Sequence, residues 1–381
     1  MIIFKFLLGL HLFGAILVPF FLDWGRISFA QVMILESWFM LWVCVLEMPT
    51  GALADFLGRK FTLVLAAIAN MFAVIIYASY PNFYVFLAGE FVWAISASLM
   101  SGADAAFVYD TLKEIKKTKL SKKIFGKIES FKLLGILVAI PIGSVIAANI
   151  DLRAPLLLTS IPCFFAALVA FTFKEPRRSE LQSKNYFKIL IDVVKFLKQN
   201  RILKILALDM IVIAVISYLM VWLYQVMLNQ AGVNVAYYGF VGAAFVIVEI
   251  LLINNYGKLE RILRSKKRLI FLTSFITGVM FVLGGLTTFI PLVVISIIFS
   301  AGIGLGRAPL FSSYLNKYIP SAKRATTISA ISMIQQLALV VVYPIVGFLV
   351  TWSLNYTLII IGVIAIVFSF LSRVEEKHLI D

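Results

Sequence analysis

Long apolar runs separated by short charged breaks dominate this chain. A helix needs about 20 mostly apolar residues to cross the hydrocarbon core of a membrane, and the sequence offers twelve such runs. Strands of a membrane barrel would alternate apolar and polar residues, whereas runs such as PLVVISIIFSAGIG do not alternate. The pattern therefore predicts twelve transmembrane helices, near residues 4–22, 31–53, 61–80, 83–107, 131–149, 155–173, 203–228, 236–256, 269–288, 291–313, 326–349 and 352–371.

The composition supports a membrane location. Hydrophobic residues make up 62% of the 381 positions, charged residues make up 14%, and the mean hydropathy is +1.01. A soluble domain carries more charge than this, so we predict an all-α, multi-pass membrane protein. The two cysteines and two histidines offer no metal-binding spacing, and neither a metal nor a cofactor is expected.

The distribution of basic residues predicts the orientation. All but three of the 34 Lys and Arg residues lie on the same side as the N-terminus, the exceptions being Arg26, Arg153 and Arg307. Basic loops stay in the cytoplasm, so both termini are predicted to be cytoplasmic, in the cell membrane of a bacterium or archaeon. The basic residues are scattered among short loops, which favours contact with anionic membrane lipid over binding of nucleic acid.

The longest polar connection divides the chain in two. It runs from Phe173 to Arg201, after six predicted helices and before six more. We therefore predict an N-terminal six-helix half over 1–173, a cytoplasmic linker over 174–200 and a C-terminal six-helix half over 201–381. Residues 186–197 show helical periodicity, and they form either a helix along the membrane surface or part of a solvated linker.

The two halves show a weak internal repeat. An offset of 203 residues places Pro141 on Pro344 and Asp104 on Arg307. Parallel repeats of six helices are known in transporters. The alignment therefore allows Asp104 to face Arg307, either as a structural ion pair or as a pair that exchanges a proton or substrate.

A short charged motif separates the second and third predicted helices. The sequence GALADFLGRK, residues 51–60, places two glycines, an acid and two bases between long apolar runs. It resembles the GxLADxxGRK signature of the major facilitator superfamily, and SGADAAFVYDTLKE resembles the end of the fourth helix in a bacterial branch of that superfamily. Phe56 departs from the signature, which usually has a basic residue there. The matching residues are Gly51, Leu53, Ala54, Asp55, Gly58, Arg59 and Lys60.

The motif suits a tight turn between antiparallel helices. Gly58 can adopt a positive φ, and Gly51 permits a neighbouring helix to approach closely. The resemblance implies that Asp55, Arg59 and Asp110 form a charge network that locks the outward-facing state and breaks as the protein turns inward. The alternative is a topology anchor with no gating role.

Ionisable residues within the predicted spans are candidates for transport chemistry. Each one costs about 2.5–3.5 kcal/mol near a helix centre, so such residues are functional candidates by default. Any of them could bind a substrate or a coupling proton, and the sequence does not rank them. The candidates are His11, Glu36, Glu90, Asp104, Asp209, Glu249 and Arg307.

Three of these candidates carry more specific expectations. Glu90 and Asp104 lie fourteen residues apart in one predicted helix, which would place them near one face and about 21 Å apart. The small residues between them suit either a water-lined path or close helix packing. Glu36 is expected near the outer mouth, in contact with water. His11 is either a satisfied buried side chain or a proton relay.

The resemblance implies the major facilitator fold and secondary active transport by alternating access. The chain has no GxxxxGKS or GxxxxGKT loop for ATP, and it has neither HExxH nor GxSxG. An intramembrane enzyme is therefore only a remote alternative.

The substrate class is predicted from side-chain chemistry. Helices rich in Phe, Trp and Met with a few carboxylates favour amphipathic compounds and proton-coupled efflux, as in a drug-exporter-like branch of the superfamily. An uptake symporter or a lipid transporter of the same fold is the alternative. Expected partners are a small-molecule substrate, protons or another coupling ion, and membrane lipid, and the chain is expected to act as a monomer.

Overall fold

A computed structural model describes most of the chain, namely residues 1–176, 199–320 and 324–379. Some side chains within these ranges lie outside the description, namely those of Met48, Ala52, Asp55, Lys122 and residues 324–326. The regular structure of the described backbone is helical and contains no strand, which confirms the all-α prediction. The helix considered for residues 186–197 falls outside the described residues.

The described α-helices follow one another with short connections. The helices within residues 1–176 are α1 (Ile2–Gly9), α2 (Leu17–Pro19), α3 (Phe29–Leu57), α4 (Arg59–Tyr77), α5 (Phe83–Met100), α6 (Ala103–Glu114), α7 (Ser121–Asn149) and α8 (Ala154–Phe171). The helices from residue 199 onward are α9 (Arg201–Gln230), α10 (Tyr238–Leu263), α11 (Lys266–Leu286), α12 (Ile290–Tyr318), α13 (Arg324–Trp352) and α14 (Leu354–Leu371).

Eleven helical segments in the described part of the chain are long and apolar enough to cross a membrane. They are α3, α4, the α5 and α6 pair, and each helix from α7 to α14. Eleven of the twelve predicted spans are thus found as long helical segments, and the first predicted span is present in an interrupted form.

The described residues form two compact units. The first unit comprises residues 1–176 together with 234–243, and the second comprises 199–233, 244–320 and 324–379. In the first unit α4 packs against α5 and α8, while α1 packs against α7 and α8. In the second unit α11 packs against α14 and α12, and α9 packs against α12.

Polar side chains mark the beginnings of several helices. Ser28 and Gln31 form a capping box at the start of α3, since the Ser28 hydroxyl accepts from the Gln31 N–H at 3.3 Å and the Gln31 side chain accepts from the Ser28 N–H at 2.9 Å. Ser265 caps α11 and Ser353 caps α14, each through its own hydroxyl group, which accepts a backbone N–H of the first turn. These caps satisfy N–H groups that a helix start leaves without intrahelical partners.

The first predicted span, 4–22, is not one continuous helix. Helix α1 ends at Gly9, α2 covers three residues, and a π-helical turn follows at Phe20–Trp24. The interruption places backbone polar groups inside the unit, and one of them is satisfied from α8, because the Leu12 N–H donates to the Thr159 hydroxyl at 3.2 Å. The hydropathy pattern could not show this break, because the residues around it are apolar or small apart from His11.

The fourth predicted span, 83–107, is also interrupted. Helix α5 ends at Met100, α6 begins at Ala103, and Gly102 between them has a φ of +76°, a conformation that glycine adopts without steric cost. The predicted common face of Glu90 and Asp104 is therefore wrong, because a helical rotation of 100° per residue does not continue through this break.

Close backbone contact between helices depends on small residues. A Cβ atom at Gly143 of α7 would lie 1.6 Å from the Leu12 carbonyl oxygen, and one at Gly239 would lie 2.1 Å from the Ile140 carbonyl oxygen. The Gly239 contact explains why residues 234–243 belong to the first unit. In the second unit, a Cβ at Gly362 of α14 would lie 2.6 Å from the carbonyl oxygen of Gly278 in α11.

Replacing Gly143 by alanine is expected to destabilise the first unit by about 1–3 kcal/mol, because the added methyl group forces Leu12 and α7 apart. Gly126 lies on the same helix, and a Cβ there would meet nothing within 4 Å. Gly126→Ala is therefore the matched control, with a neutral or slightly stabilising effect. Thermal unfolding of both variants in detergent micelles measures the difference, and equal midpoints would contradict the close contact.

Candidate functional site

The charged motif forms a tight junction between α3 and α4. Gly58 ends α3 and precedes α4 with a φ of +101°, which a residue with a side chain would adopt at a steric cost. The Arg59 guanidinium makes an ion pair with Asp110 of α6 and donates to the Ala106 carbonyl oxygen at 2.6 Å. The structure thus brings together two of the three residues of the predicted network, and the side chain of the third, Asp55, lies outside the description.

Glu175 joins this junction from the segment that follows α8. Its two carboxylate oxygens accept hydrogen bonds from the backbone N–H groups of Arg59 at 2.9 Å and of Lys60 at 2.7 Å. A carboxylate at a helix N-terminus satisfies N–H groups that lack intrahelical partners and interacts favourably with the helix dipole. Sequence reasoning missed this residue because it assigned Glu175 to the linker, and the one available signal was an isolated acid among basic residues.

The second unit has a corresponding contact. Glu376, in the segment after α14, accepts from the N–H groups of Lys266 at 2.8 Å and Lys267 at 2.9 Å, and from the Ser265 hydroxyl at 2.6 Å. Glu376 therefore holds the N-terminus of α11 as Glu175 holds that of α4. In each unit, an acidic residue that follows the last described helix of the unit, α8 or α14, accepts hydrogen bonds from the first backbone N–H groups of an earlier helix.

Glu376 also predicts a pH dependence. Partial burial opposes its ionisation, but the hydrogen bonds from Ser265, Lys267 and Lys266 outweigh that effect and hold the pKa of Glu376 below its usual value. Because the pKa of Glu376 is lower in the folded state than in the unfolded state, its ionised form stabilises the fold at pH values above the unfolded-state pKa, which is about 4. This stabilisation is lost as the pH falls through the folded-state pKa.

Glu376→Gln is accordingly expected to lower stability by about 1 kcal/mol at neutral pH. The difference from wild type should shrink as the pH falls below about 4. Thermal midpoints of the two proteins from pH 3 to 7 test this, with Glu129→Gln as the control, because Glu129 is exposed and pairs with the Lys132 side chain. A difference that stays constant across this range would show that the charge of Glu376 is not what matters.

Asp104 and Arg307 each have an ion-pair partner within their own unit. Asp104, in the first turn of α6, pairs with Lys5 of α1. Arg307 of α12 pairs with Asp209 of α9 through Nη2 and Oδ1 at 2.8 Å. The predicted pairing of Asp104 with Arg307 is therefore replaced by two separate pairs, because a sequence offset shows equivalent positions but not side-chain partners.

The Asp209–Arg307 pair lies in the core of the second unit. Both side chains are 3% exposed. Arg307 Nε donates to the Thr273 hydroxyl at 3.0 Å, and the Ser372 hydroxyl donates to the second Asp209 oxygen at 2.5 Å. The guanidinium also lies over the Phe311 ring, 5.0 Å from its centre. The opposite charges and these further contacts offset the cost of burying the pair, while Arg307 Nη1 has no hydrogen-bond partner among the described residues.

Glu249 is the other predicted acid of the second unit. It is half-buried on α10 and faces Gly306 of α12, where a Cβ would lie 3.7 Å from the Glu249 Cγ. Tyr256 lies about two turns further along α10. It is near enough to both Glu249 and Arg307 to interact with their charges. Glu249 is thus close to the helix that carries the buried ion pair.

Glu36 and Glu90 form a buried carboxyl pair in the first unit. Glu36 lies on α3 and is 5% exposed, Glu90 lies on α5 and is 1% exposed, and their carboxyl groups are near enough to interact directly. The expectation that Glu36 is in contact with water is therefore wrong, because α5 packs over it. Two adjacent carboxylates in an apolar environment repel each other strongly.

A group of aromatic rings packs around Trp93, on the same helix as Glu90. The ring centre of Trp93 lies 5.3 Å from that of Phe13, 5.9 Å from that of Phe39 and 6.0 Å from that of Tyr77. The Tyr77 hydroxyl is close to Glu90. Sequence reasoning did not single out Tyr77 or Trp93, because the chain is rich in aromatic residues and nothing in the pattern distinguishes these two.

His11 lies at the edge of the same cluster. Its ring stacks on Phe13 at 5.4 Å and lies edge-on to Trp93 at 6.2 Å. Among the described residues, three buried polar atoms of this region have no partner with hydrogen-bond geometry, namely His11 Nε2, the Tyr77 hydroxyl oxygen and Glu90 Oε1. Buried polar atoms are seldom left unpaired, so the cluster of Glu36, Glu90, His11, Tyr77 and Trp93 is the best candidate for a binding site. We call it the aromatic–carboxyl cluster.

The sequence as a whole matches one family model. The model describes the Major Facilitator Superfamily, and it matches residues 2–342. The chain belongs to the major facilitator superfamily. Membership makes it a multi-pass membrane protein and a secondary transporter, not an enzyme. No curated protein matches the sequence.

Solved structures of the superfamily share the fold at low sequence identity. A mutant of the nucleoside transporter NupG is 14% identical, with 97% of each chain covered and a TM-score of 0.82. A D-xylose–proton symporter is 15% identical, with 99% of this chain and 98% of that one covered and a TM-score of 0.75. A bacterial homologue of the human lysosomal transporter Spinster is 15% identical, with 100% and 96% covered and a TM-score of 0.73. These similarities confirm the predicted major facilitator fold.

The described part of the chain offers no group of three or more His, Cys, Asp or Glu residues placed to hold a metal ion. The aromatic–carboxyl cluster combines carboxyl, imidazole and aromatic groups in one unit.

Proposed function

We propose that this protein is a proton-coupled transporter that exports amphipathic compounds, with Glu36 and Glu90 as its proton-binding groups. The observation that supports this most directly is the adjacency of two carboxyl groups buried between membrane-spanning helices. Repulsion between two such carboxylates is relieved when the pair holds a proton. Release of that proton leaves negative charge that a substrate cation can neutralise.

The aromatic rings suggest the substrate class. The rings of Phe13, Phe39 and Tyr77 lie against Trp93, which is on α5 with Glu90, and aromatic faces attract organic cations. We infer that an amphipathic cation competes with the proton for the pair. This competition couples the two movements as antiport, and exchange of one proton for one monovalent cation leaves the charge of the pair unchanged.

The junction around Gly58 is proposed to act as a gate. The Arg59–Asp110 ion pair and the hydrogen bonds from Arg59 and Lys60 to Glu175 hold α4, α6 and the segment after α8 together. We propose that this contact, with Gly51 and Asp55 of the same motif, stabilises one state of the transport cycle. Glu175 belongs to the linker 174–200 between the halves 1–173 and 201–381, so a movement of the linker away from α4 would require its two hydrogen bonds to break.

The remaining charged candidates are assigned supporting roles. We propose that Asp209 and Arg307 form a structural pair near Glu249, that Asp104 holds α6 to α1 through Lys5, and that His11 contacts substrate. The excess of basic residues on the N-terminal side supports cytoplasmic termini and a location in the cytoplasmic membrane. Action as a monomer is part of the same proposal.

The proposal is tested with purified protein in proteoliposomes that contain a pH-sensitive dye. Ethidium and tetraphenylphosphonium serve as amphipathic cations, and uridine and xylose serve as polar controls. Antiport predicts that an outward cation gradient moves protons into the vesicles, and that this movement disappears in protein-free vesicles. Absence of proton movement with every cation would reject cation–proton antiport.

Uptake is the second candidate function. It is favoured by the fold shared with a nucleoside transporter and with a D-xylose–proton symporter. In the same vesicles, symport predicts that protons and uridine or xylose move in the same direction. The direction of proton movement therefore separates the two functions.

A further inference from the structure

An apolar groove opens at the end of the first unit where α1, α6, α7 and the segment after α8 meet. Its volume is about 510 Å³. Most of its lining is aliphatic or aromatic, represented by Ile2, Phe107, Leu112, Ile124, Ile128 and Phe173. A groove with these walls suits a flexible hydrocarbon chain better than a polar solute.

The hydroxyl groups in the lining do not require a ligand. Thr111 donates to the Phe107 carbonyl oxygen at 2.7 Å, and Thr172 donates to the Val169 carbonyl oxygen at 2.7 Å. Both threonines therefore have partners within their own helical turn. The walls thus offer little to recognise a sugar or nucleoside and much to cover an acyl chain.

Lysines are concentrated beside this groove. The chain has seven lysines and one glutamate between residues 111 and 127. The two other acids nearest in sequence are already paired, Asp110 with Arg59 and Glu129 with Lys132. The local charge is therefore strongly positive. The exposed lysines are Lys113, Lys116, Lys117, Lys119, Lys123 and Lys127.

The lysines lie at the level where lipid headgroups are expected. One candidate membrane span ends at Glu114 and the next begins at Lys123. Between them, Ile115 and Leu120 are 52% and 43% exposed. Exposed apolar side chains among lysines are typical of segments at a membrane interface.

We propose that this groove binds one anionic phospholipid, with an acyl chain along the apolar walls and the phosphate against the lysines. The charge selects an anionic headgroup over a zwitterionic one. The groove adds a requirement for a hydrocarbon chain, which a merely basic surface would not have. The proposal does not depend on the transport chemistry of Glu36 and Glu90, so either can fail without the other.

Native mass spectrometry of the full chain with equimolar phosphatidylglycerol and phosphatidylcholine of the same acyl composition tests this proposal. The wild type is expected to retain phosphatidylglycerol at least about tenfold more than phosphatidylcholine. K116Q/K117Q/K119Q should lose this preference, whereas K116R/K117R/K119R should keep it. I124W, which fills the groove, should lower phosphatidylglycerol retention while leaving the lysines in place.

The matched control neutralises three exposed basic residues of the second unit, as K258Q/R261Q/K267Q. This variant should keep the wild-type preference. Equal retention of the two lipids by the wild type, or an equal loss in the control variant, would overturn the site and leave only general attraction to a basic surface. Unchanged phosphatidylglycerol retention in I124W would overturn the role of the groove.

Discussion

Replacing Glu90 by glutamine is expected to reduce proton-driven transport to the background of vesicles without protein. The amide preserves the size of the side chain but cannot gain or lose a proton at neutral pH. Glu36 then loses the neighbouring carboxyl group with which, in the proposed mechanism, it shares one proton. Glu36→Gln should have the same effect, and substrate flux under an imposed pH gradient measures both.

Two comparisons make this result specific. Glu129 lies on α7 and is exposed and paired with Lys132 at 2.9 Å, so Glu129→Gln should transport as the wild type does. Exchange of labelled for unlabelled substrate requires no net proton movement, and Glu90→Gln should retain it. Normal gradient-driven flux in both the Glu36 and Glu90 variants would exclude the pair from coupling. Loss of exchange as well would show that the cation needs both carboxylates of the pair for binding.

Replacing Arg307 by methionine is expected to destabilise the second unit by about 3–5 kcal/mol. The substitution leaves Asp209 as a buried charge whose remaining described contact is the Ser372 hydroxyl at 2.5 Å. Asp209→Leu should be similarly damaging, because it leaves the guanidinium without its counter-charge. The thermal midpoint in detergent is the measurement.

The double variant D209L/R307M is the decisive comparison. Replacing a buried ion pair by apolar residues of similar size is often close to neutral, so the double variant should be more stable than either single variant. The difference gives the coupling between the two residues. Additive losses would show that Asp209 and Arg307 act independently, contrary to their 2.8 Å contact.

The apolar pattern predicted the helices well and their interruptions poorly. Lengths near 20 residues follow from membrane thickness, so α4, α8 and α14 fall close to their predicted spans. The breaks after Gly9 and at Gly102 depend on tertiary partners and on a single positive φ. A window that averages hydropathy over a span does not detect either of these.

The sequence also identified residues of the candidate site without showing which of their side chains are neighbours. Insertion cost alone singles out Glu36 and Glu90 as unusual, but it does not reveal that they are neighbours. Their proximity results from the packing of α3 on α5, and the position of Tyr77 results from that of α4. Glu175 and Glu376 were missed for a related reason, because the N–H groups they bind belong to the backbone, and the sequence does not show which backbone groups an acid will reach.

The contact of residues 234–243 with α7 has a consequence for biosynthesis. Gly239 lies on the backbone of Ile140, yet the ribosome makes it only after α9 has been synthesised. The first unit is therefore incomplete when its own last helix, α8, enters the membrane. A translation product that stops after α8 would expose the part of α7 that Gly239 covers, and membrane quality-control proteases would have that surface available until the eighth span arrives.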